Sequence, residues 1–306
     1  MELLTIFTPT YNRARYLIKL FESLEKQKNK NFEWIIIDDD SSDNSENVVK
    51  SFKDKNPEFR IIYQKQRHGG KHRAINRAVN IAKGDFFFIV DSDDKLTDNA
   101  VKLIFKWVES IEEKPEYCGV AGLRISPKGC IWGGNPNIKK GEWVDSSSLE
   151  REKYNLNGDK SEVYRTDVLR DHPFPEFEDE FFVTEAVVWD AIAADGYKIR
   201  WYNEPIYICD YHEDGLTANG ANEIRGHINN YQGYLYYINQ CKRIKKGYDF
   251  VINFSDYEKT ANYKELSYKK RAEELKISFF RYCVYKFVER PIFLLIRKFR
   301  MYRFNF

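Results

Sequence analysis

Over its first 112 residues the chain alternates short apolar runs with stretches of helical period, and few folds satisfy that order. Leu3–Phe7 is apolar and stops at the turn-like Thr8-Pro9-Thr10-Tyr11-Asn12-Arg13, which predicts a buried strand. Leu17, Leu20, Phe21 and Leu24 then recur at helical spacing. Phe32–Asp38 reads as a second strand and is followed by a loop rich in Asp, Ser and Asn, residues suited to turns and helix caps. Arg60–Tyr63 is a third strand. A helix follows over Lys71–Lys83, with Ile75, Val79 and Ala82 on one face and Gly84 as its stop. Phe86–Val90 is continuously apolar, as expected of a central strand covered on both faces. Thr97–Glu112 returns to helical period. This β-α-β-α order predicts an α/β fold with a mostly parallel, Rossmann-like sheet flanked by helices. Such sheets bind ligands at the C-terminal ends of their strands.

The rest of the chain is less regular. Between about 113 and 220, strand-like pieces (Val120–Ile125, Glu162–Tyr164, Lys198–Tyr202, Ile206–Cys209) and a helix over Glu185–Ala194 sit among polar loops. From 222 onward the pattern is helical and rich in Tyr, with an extended break expected near Tyr248–Phe254. Net charge is +2, but residues 276–306 hold eight basic side chains and one acid, a local +7, together with ten Phe or Tyr. The body is therefore mildly acidic and the tail basic and aromatic. Apolar residues are 42% and Gly and Pro number only 16 and 9, which excludes a disordered or collagen-like chain. No apolar run approaches the ~18 residues a membrane span needs. Glu2 and the short run before Pro9 do not form a signal peptide. Five widely spaced cysteines (Cys118, Cys130, Cys209, Cys241, Cys283) with no paired spacing suggest reduced thiols, not a disulfide frame or zinc site. A cytoplasmic protein is the expectation.

Three segments could carry chemistry. Asp91-Ser92-Asp93-Asp94 directly follows the Phe86–Val90 strand. Carboxylates so crowded repel unless a cation or solvent relieves them, and hard oxygens suit Mg or Mn bridging to phosphates. Solvated acids ahead of a helix starting at Thr97-Asp98 explain the same residues equally well. Asp38-Asp39-Asp40 ends the second strand and either recognises donor groups of a ligand or makes a turn. His68-Gly69-Gly70-Lys71-His72-Arg73 opens a helix, where backbone N–H groups with Lys71 and Arg73 could hold phosphate, or form a plain solvated loop. Two acidic strand ends on one sheet edge favour a cleft. Later, Glu176, Glu178, Asp179, Glu180 and Glu185 crowd one stretch and offer candidate general bases or helix-start acids. His212 is a candidate metal ligand or a polar loop residue. No GxGxxG follows the first strand, against a dinucleotide oxidoreductase.

In order, TPTYNR (8–13), IIIDDDSSD (35–43), GGKHRAIN (69–76), AKGDFFFIVDSDD (82–94) and TEAVVWDAIAADGYKI (184–199) resemble the family-2 glycosyltransferases of GT-A fold. The resemblance covers about the first 215 residues. It implies a GT-A domain over 1–220, with a nucleotide-sugar half (1–112) and an acceptor half (113–220), then a helical C-terminal region over 221–306. It also implies an inverting transferase that moves one sugar from a nucleotide-sugar, UDP-linked by preference, to a hydroxyl of a glycan or lipid-linked saccharide in cell-surface polysaccharide biosynthesis. By position, Tyr11 would stack on the base and Thr8 line its pocket. Asp39 would pair with the uracil imide, and Lys71 and Asp91 would contact the donor. Asp93 would hold Mn or Mg, with Asp91 and His212 as further candidate ligands. Glu185, eleven residues before Gly196, would be the catalytic base. Asp40 stands where the family has Gly or Asn, and Thr184-Glu185 where it has Glu-Asp. The QxxRW motif of processive members is absent around Arg200-Trp201.

The tail repeats Ile277, Phe280, Val284 and Phe287 at helical spacing among basic residues, so it could lie on an anionic membrane or pack on the protein. The competing functions are a nucleotidyltransferase that makes a nucleotide-sugar, and a non-catalytic nucleotide-sugar or nucleic-acid binder. The acidic body and the lack of any binding motif argue against nucleic acid.

Overall fold

The computed structural model describes residues 3–55, 57–209, 224–245, 248–292 and 295. These fall into two compact units. One holds the residues up to 176 together with 188–209, and the other holds 177–187 together with the described residues from 224 on.

In the first unit β1 (Leu4–Thr10), α1 (Ala14–Glu25), β2 (Phe32–Asp38), α2 (Ser45–Asp54), β3 (Arg60–Lys65), α3 (Lys71–Ile81) and β4 (Phe86–Ile89) follow the expected alternation. Strands β3, β2, β1 and β4 are adjacent in that order and all parallel, with Leu4 opposite both Phe32 and Phe86. Every residue of β2 is buried, as its continuous apolar run requires. The apolar stripe of α1, Leu17, Leu20, Phe21 and Leu24, is wholly buried. Phe21 stacks on Phe52 of α2 with ring centroids 4.2 Å apart, so both helices cover the same sheet face.

Beyond β4 the sheet is mixed. A short β5 (Lys95–Leu96), α4 (Ala100–Glu109), β6 (Tyr117–Ile125), β7 (Trp143–Ser146), β8 (Lys160–Arg165), α5 (Thr166–Asp171), α6 (Ala186–Ala194) and β9 (Lys198–Ile208) follow. β8 lies antiparallel between β4 and β6, and β9 pairs parallel to β6 and antiparallel to β5 and β7. The two pieces expected at Lys198–Tyr202 and Ile206–Cys209 are one strand, carried past Asn203-Glu204-Pro205 by register shifts opposite Ala121–Arg124. Gly84 is not a helix stop, because α3 already ends at Ile81. A Cβ at Gly84 would lie 2.4 Å from the backbone nitrogen of Thr5, so glycine is there to let the turn pass close to β1.

The second unit is helical: α7 (Ile224–Asn229), α8 (Tyr231–Ile244), α9 (Tyr248–Tyr263), α10 (Tyr268–Glu274) and α11 (Phe279–Val284), the last continuing as a π-type turn over Tyr285–Glu289. Where an extended break was expected at Tyr248–Phe254 the chain is helical. Val251, Phe254, Tyr257 and Ala261 recur at intervals of three and four and are all buried. Phe254, Tyr257 and Ala261 pack with Tyr234, Ile238, Ala272, Leu275 and Tyr282 into a separate core. Residues 177–187 join this unit through polar bonds. The Glu180 carboxylate accepts the backbone N–H groups of Gln232 and Gly233 at 2.6 and 2.8 Å. Asn230 accepts those of Phe181 and Phe182, and Gln240 donates to the Val187 carbonyl.

Candidate active site

The loops after β1, β2, β3 and β4 leave the same edge of the parallel sheet, and hydrogen bonds stitch them together. Asn12, with φ of 54°, accepts at its side-chain oxygen from the backbone of Ser42 and Asp43, while its own N–H donates to Ser41. Asp43 in turn accepts from Ala14 N–H, capping the start of α1 from a neighbouring loop.

Asp39 organises the loop after β3. Its Oδ1 accepts from Gly69 N–H and the Gln66 side chain, both at 2.8 Å. Its Oδ2 accepts from Gly70 N–H at 2.8 Å and lies 2.9 Å from His68 Nδ1. Three donors and the His68 ring surround a buried carboxylate, and the result is a fixed turn with Gly70 at φ 89° that delivers Lys71 as the first residue of α3. Tyr11 stacks on His68 at 4.6 Å and stays 47% exposed, so the outer face of this cluster is aromatic. Its neighbours have other duties. Asp38 is buried and accepts from Ser41 N–H and the Tyr63 hydroxyl. Burial and this carboxylate together drive the Tyr63 pKa upward. Asp40 sits at φ 73°, a left-handed conformation that glycine and asparagine tolerate best. The substitution noted at this position is therefore a backbone matter.

Lys71 Nζ reaches Asp91 Oδ1 at 2.7 Å, and Arg13 approaches Asp93 at 3.7 Å. Burial opposes charge on Asp91, but Lys71, Arg124 and Arg13 outweigh it and hold the carboxyl below its ordinary pKa. Asp94 goes the other way. Burial first, then the charges of Asp91 and Asp93, push it up to about 8. It accepts from the Tyr207 hydroxyl at 2.7 Å, the same hydroxyl that receives Asp91 N–H, and Arg124 lies over the Tyr207 ring at 4.5 Å. These acids are not the solvated start of a helix. The next helix begins at Ala100, with β5 between, and Thr97 and Asp98 precede it.

Asp91 and Asp93 keep side-chain exposures of 28% and 21%. Among the described residues no three His, Cys, Asp or Glu groups converge as a metal cage. One or two reachable carboxylates on a strand end nevertheless fit Mg or Mn, which take few protein ligands and complete their shell with water and substrate phosphates. His212 lies outside the described residues.

Five of the expected residues, Tyr11, Asp39, Lys71, Asp91 and Asp93, thus belong to one network in the sheet unit. Thr8 does not share its surface. It is fully buried, with its hydroxyl accepting from the Trp34 indole at 2.9 Å. Arg73 braces Gly69 O and Glu176. Glu185 belongs to the helical unit, half-buried in the turn ahead of α6. Of the acids around it, Glu180 is spent on the α8 backbone. Arg13, Arg124 and Tyr207 also reach these acids. Arg13 lies in the turn after β1, but nothing local in the sequence ties Tyr207 to an acid 113 positions away.

The profile of the family described as "Glycosyl transferase family 2" matches residues 5–161. Among similar proteins, Glycosyltransferase GlyG of Streptococcus pneumoniae is 34% identical over 108 residues, 35% of this chain and 36% of that one. The GalNAc(5)-diNAcBac-PP-undecaprenol beta-1,3-glucosyltransferase of Campylobacter jejuni is 25% identical over 290 residues, 90% of this chain and 85% of that one. The chain thus spans about a third of the first relative and most of the second. The solved structure of TarS residues 1–349 from Staphylococcus aureus in complex with UDP-GlcNAc superposes with a TM-score of 0.61 at 19% identity, covering 82% of this chain and 71% of that one. A mannosyltransferase from Pyrobaculum calidifontis in complex with GDP-Man and Mn2+ gives 0.53 at 18%, covering 80% and 65%. The fold shared with these structures is GT-A.

Proposed function

Because this chain belongs to glycosyl transferase family 2, we propose that it transfers one sugar from a UDP-sugar to a hydroxyl of a glycan or lipid-linked saccharide, with inversion, in cell-surface polysaccharide assembly. The observation that carries this reading is the linked set Tyr11, Asp39, Lys71, Asp91 and Asp93 at the ends of parallel strands. UDP is favoured because a uracil imide N–H can take the place of the His68 or Gln66 side chain on Asp39 while the ring stacks on Tyr11. A diphosphate would draw Lys71 off Asp91. The named acceptor of the Campylobacter relative, an undecaprenol-linked saccharide, supports a lipid-linked acceptor here.

A divalent ion held by Asp93 with Asp91 would neutralise charge on the leaving diphosphate. Lys71 would stabilise the same charge from the first turn of α3, where the helix dipole favours an anion. Glu185 would accept the proton of the attacking hydroxyl. A single-transfer enzyme agrees with the fate of Arg200-Trp201. Arg200 is bound to both oxygens of Asp145 at 2.8 and 2.9 Å, and the Trp201 indole donates to Ser146 O, so both serve the sheet.

Calorimetric titration of UDP with and without Mn, against GDP and dTDP, tests the donor site. Metal-dependent binding selective for UDP is expected, and no nucleotide binding in any metal would remove the reading. The membrane proposal for 276–306 rests on Phe280, Phe287, Ile292 and Leu295, each more than half exposed beside basic residues. No helix among the described residues is long and apolar enough to cross a membrane. Deleting the tail would strip Tyr282 and Lys286 from the buried Glu258. The Phe280→Ser/Phe287→Ser variant is therefore the better probe. It should lose co-sedimentation with phosphatidylglycerol-containing liposomes, and equal binding would refute the surface role.

A further inference from the structure

The helical unit encloses a cavity of about 220 Å3 that the donor site does not use. Its wall includes Phe182 and Thr184 ahead of α6, His227 of α7, Tyr234 of α8, and Asn253 and Asp256 of α9. We propose that this cavity is a carbohydrate subsite that holds one neutral pyranose ring of the acceptor. The proposal deepens the reading of Glu185 as base, which follows Thr184 directly in the chain.

Four observations support it. His227 and Tyr234 stack 3.9 Å apart and within 8° of parallel, so the aromatic part of the lining is a rigid pair against which an apolar C–H surface of a sugar can pack. The Tyr234 hydroxyl is buried without a hydrogen bond of good geometry, with Thr260 as a close polar neighbour. A buried hydroxyl in that state calls for a partner, and a ligand hydroxyl supplies one. Among the described residues no Lys or Arg lines the cavity, and the one carboxylate there, Asp256, is tied at Oδ1 to Lys259 at 2.8 Å. Burial, against the pull of Asp256, lowers the His227 pKa and favours the neutral imidazole. Such a wall repels a diphosphate and suits a polyol. The volume lies below the ~300 Å3 at which pockets begin to hold drug-sized ligands, which limits the occupant to about one ring.

The test uses the full chain, saturation-transfer NMR and four probes: the methyl β-pyranosides of glucose, galactose, N-acetylglucosamine and N-acetylgalactosamine. Methyl glucuronide is the charged control. At least one neutral pyranoside should bind, and binding should weaken about three- to ten-fold in Tyr234→Phe. Tyr234→Phe keeps the ring and removes a hydroxyl with no well-formed bond in the fold, only Thr260 near it, so its melting temperature should change by no more than a degree or two. Asp256→Asn gives a second, shape-preserving variant and should also weaken binding. Failure of all four pyranosides, binding unchanged in both variants, or preference for the glucuronide would each overturn the proposal. UDP titrated into the same samples separates the two readings. Loss of UDP binding in the wild type would fell the transferase reading and leave the subsite standing. Intact UDP binding with no pyranoside bound would fell the subsite alone.

Discussion

His72 offers the sharpest quantitative test of the donor-loop packing. It sits in the first turn of α3 beside Lys71, is 2% exposed, and neither ring nitrogen has a hydrogen-bond partner. Burial, with the Arg73 charge beside it, pushes its pKa down from 6.5 to about 4, against the weaker opposing pull of Glu176 and Asp39. The folded pKa lies below the unfolded one, so between these values the unfolded chain binds the proton more readily. Stability from this site is therefore complete above about pH 6.5 and is lost as pH falls toward 4. Those two values give a loss of about 2 kcal/mol between pH 7 and pH 5. All six tryptophans belong to the sheet unit, so their fluorescence during urea unfolding reports this unit. Melts at pH 7, 6 and 5 should show this loss as the difference between the wild type and His72→Leu, because Asp94, raised to about 8, adds a slope of opposite sign that both proteins share. Parallel pH dependence in the two proteins would refute a neutral, unpaired His72.

Glu258→Gln should destabilise the helical unit by about 3–5 kcal/mol, because Arg271 and Lys286 would be left against a neutral amide. Circular dichroism should register the loss, and an unchanged helical transition would contradict it. At position 40, Asp40→Gly should stay within about 1 kcal/mol of wild type while Asp40→Val loses about 1–2 kcal/mol, since φ is 73° there. Equal melting of the two variants would show that the backbone conformation is not what selects this residue. Glu185→Gln should keep UDP affinity and lower transfer by about two to four orders of magnitude; full activity would remove it from the mechanism.

What the sequence made legible was local. β2 and β4 were readable because burial on both faces leaves a continuous apolar run, and the acids that end them were adjacent to those runs. Lys71 was readable as the first residue past a glycine pair. The structural work of Asp39 was not, because a carboxylate that anchors a loop and one that reads a base look alike in sequence. Tyr207 and Arg124 were invisible for a different reason. They reach the acids through strand pairings beyond β4, and pairing between distant strands leaves no periodic signal. The one strand β9 reads as two pieces because Asn203-Glu204-Pro205 imitate a turn, and the helix at Tyr248–Phe254 reads as a break because its spacing of three and four is completed only by Tyr257 and Ala261.

The membership of residues 177–187 has a consequence for recombination. The helical unit is discontinuous in sequence, so a chimaera made by one crossover after the sheet would join foreign helices to a native 177–187 stretch. Glu180 would then face the first turn of a foreign helix, where any side chain in place of Gly233 would crowd its carboxylate, since a Cβ there lies 3.3 Å from Oε2. Swapping this unit between relatives therefore demands a paired exchange, with the short stretch and the helices transferred together. Variation inherited through such exchanges should show the two segments changing in step.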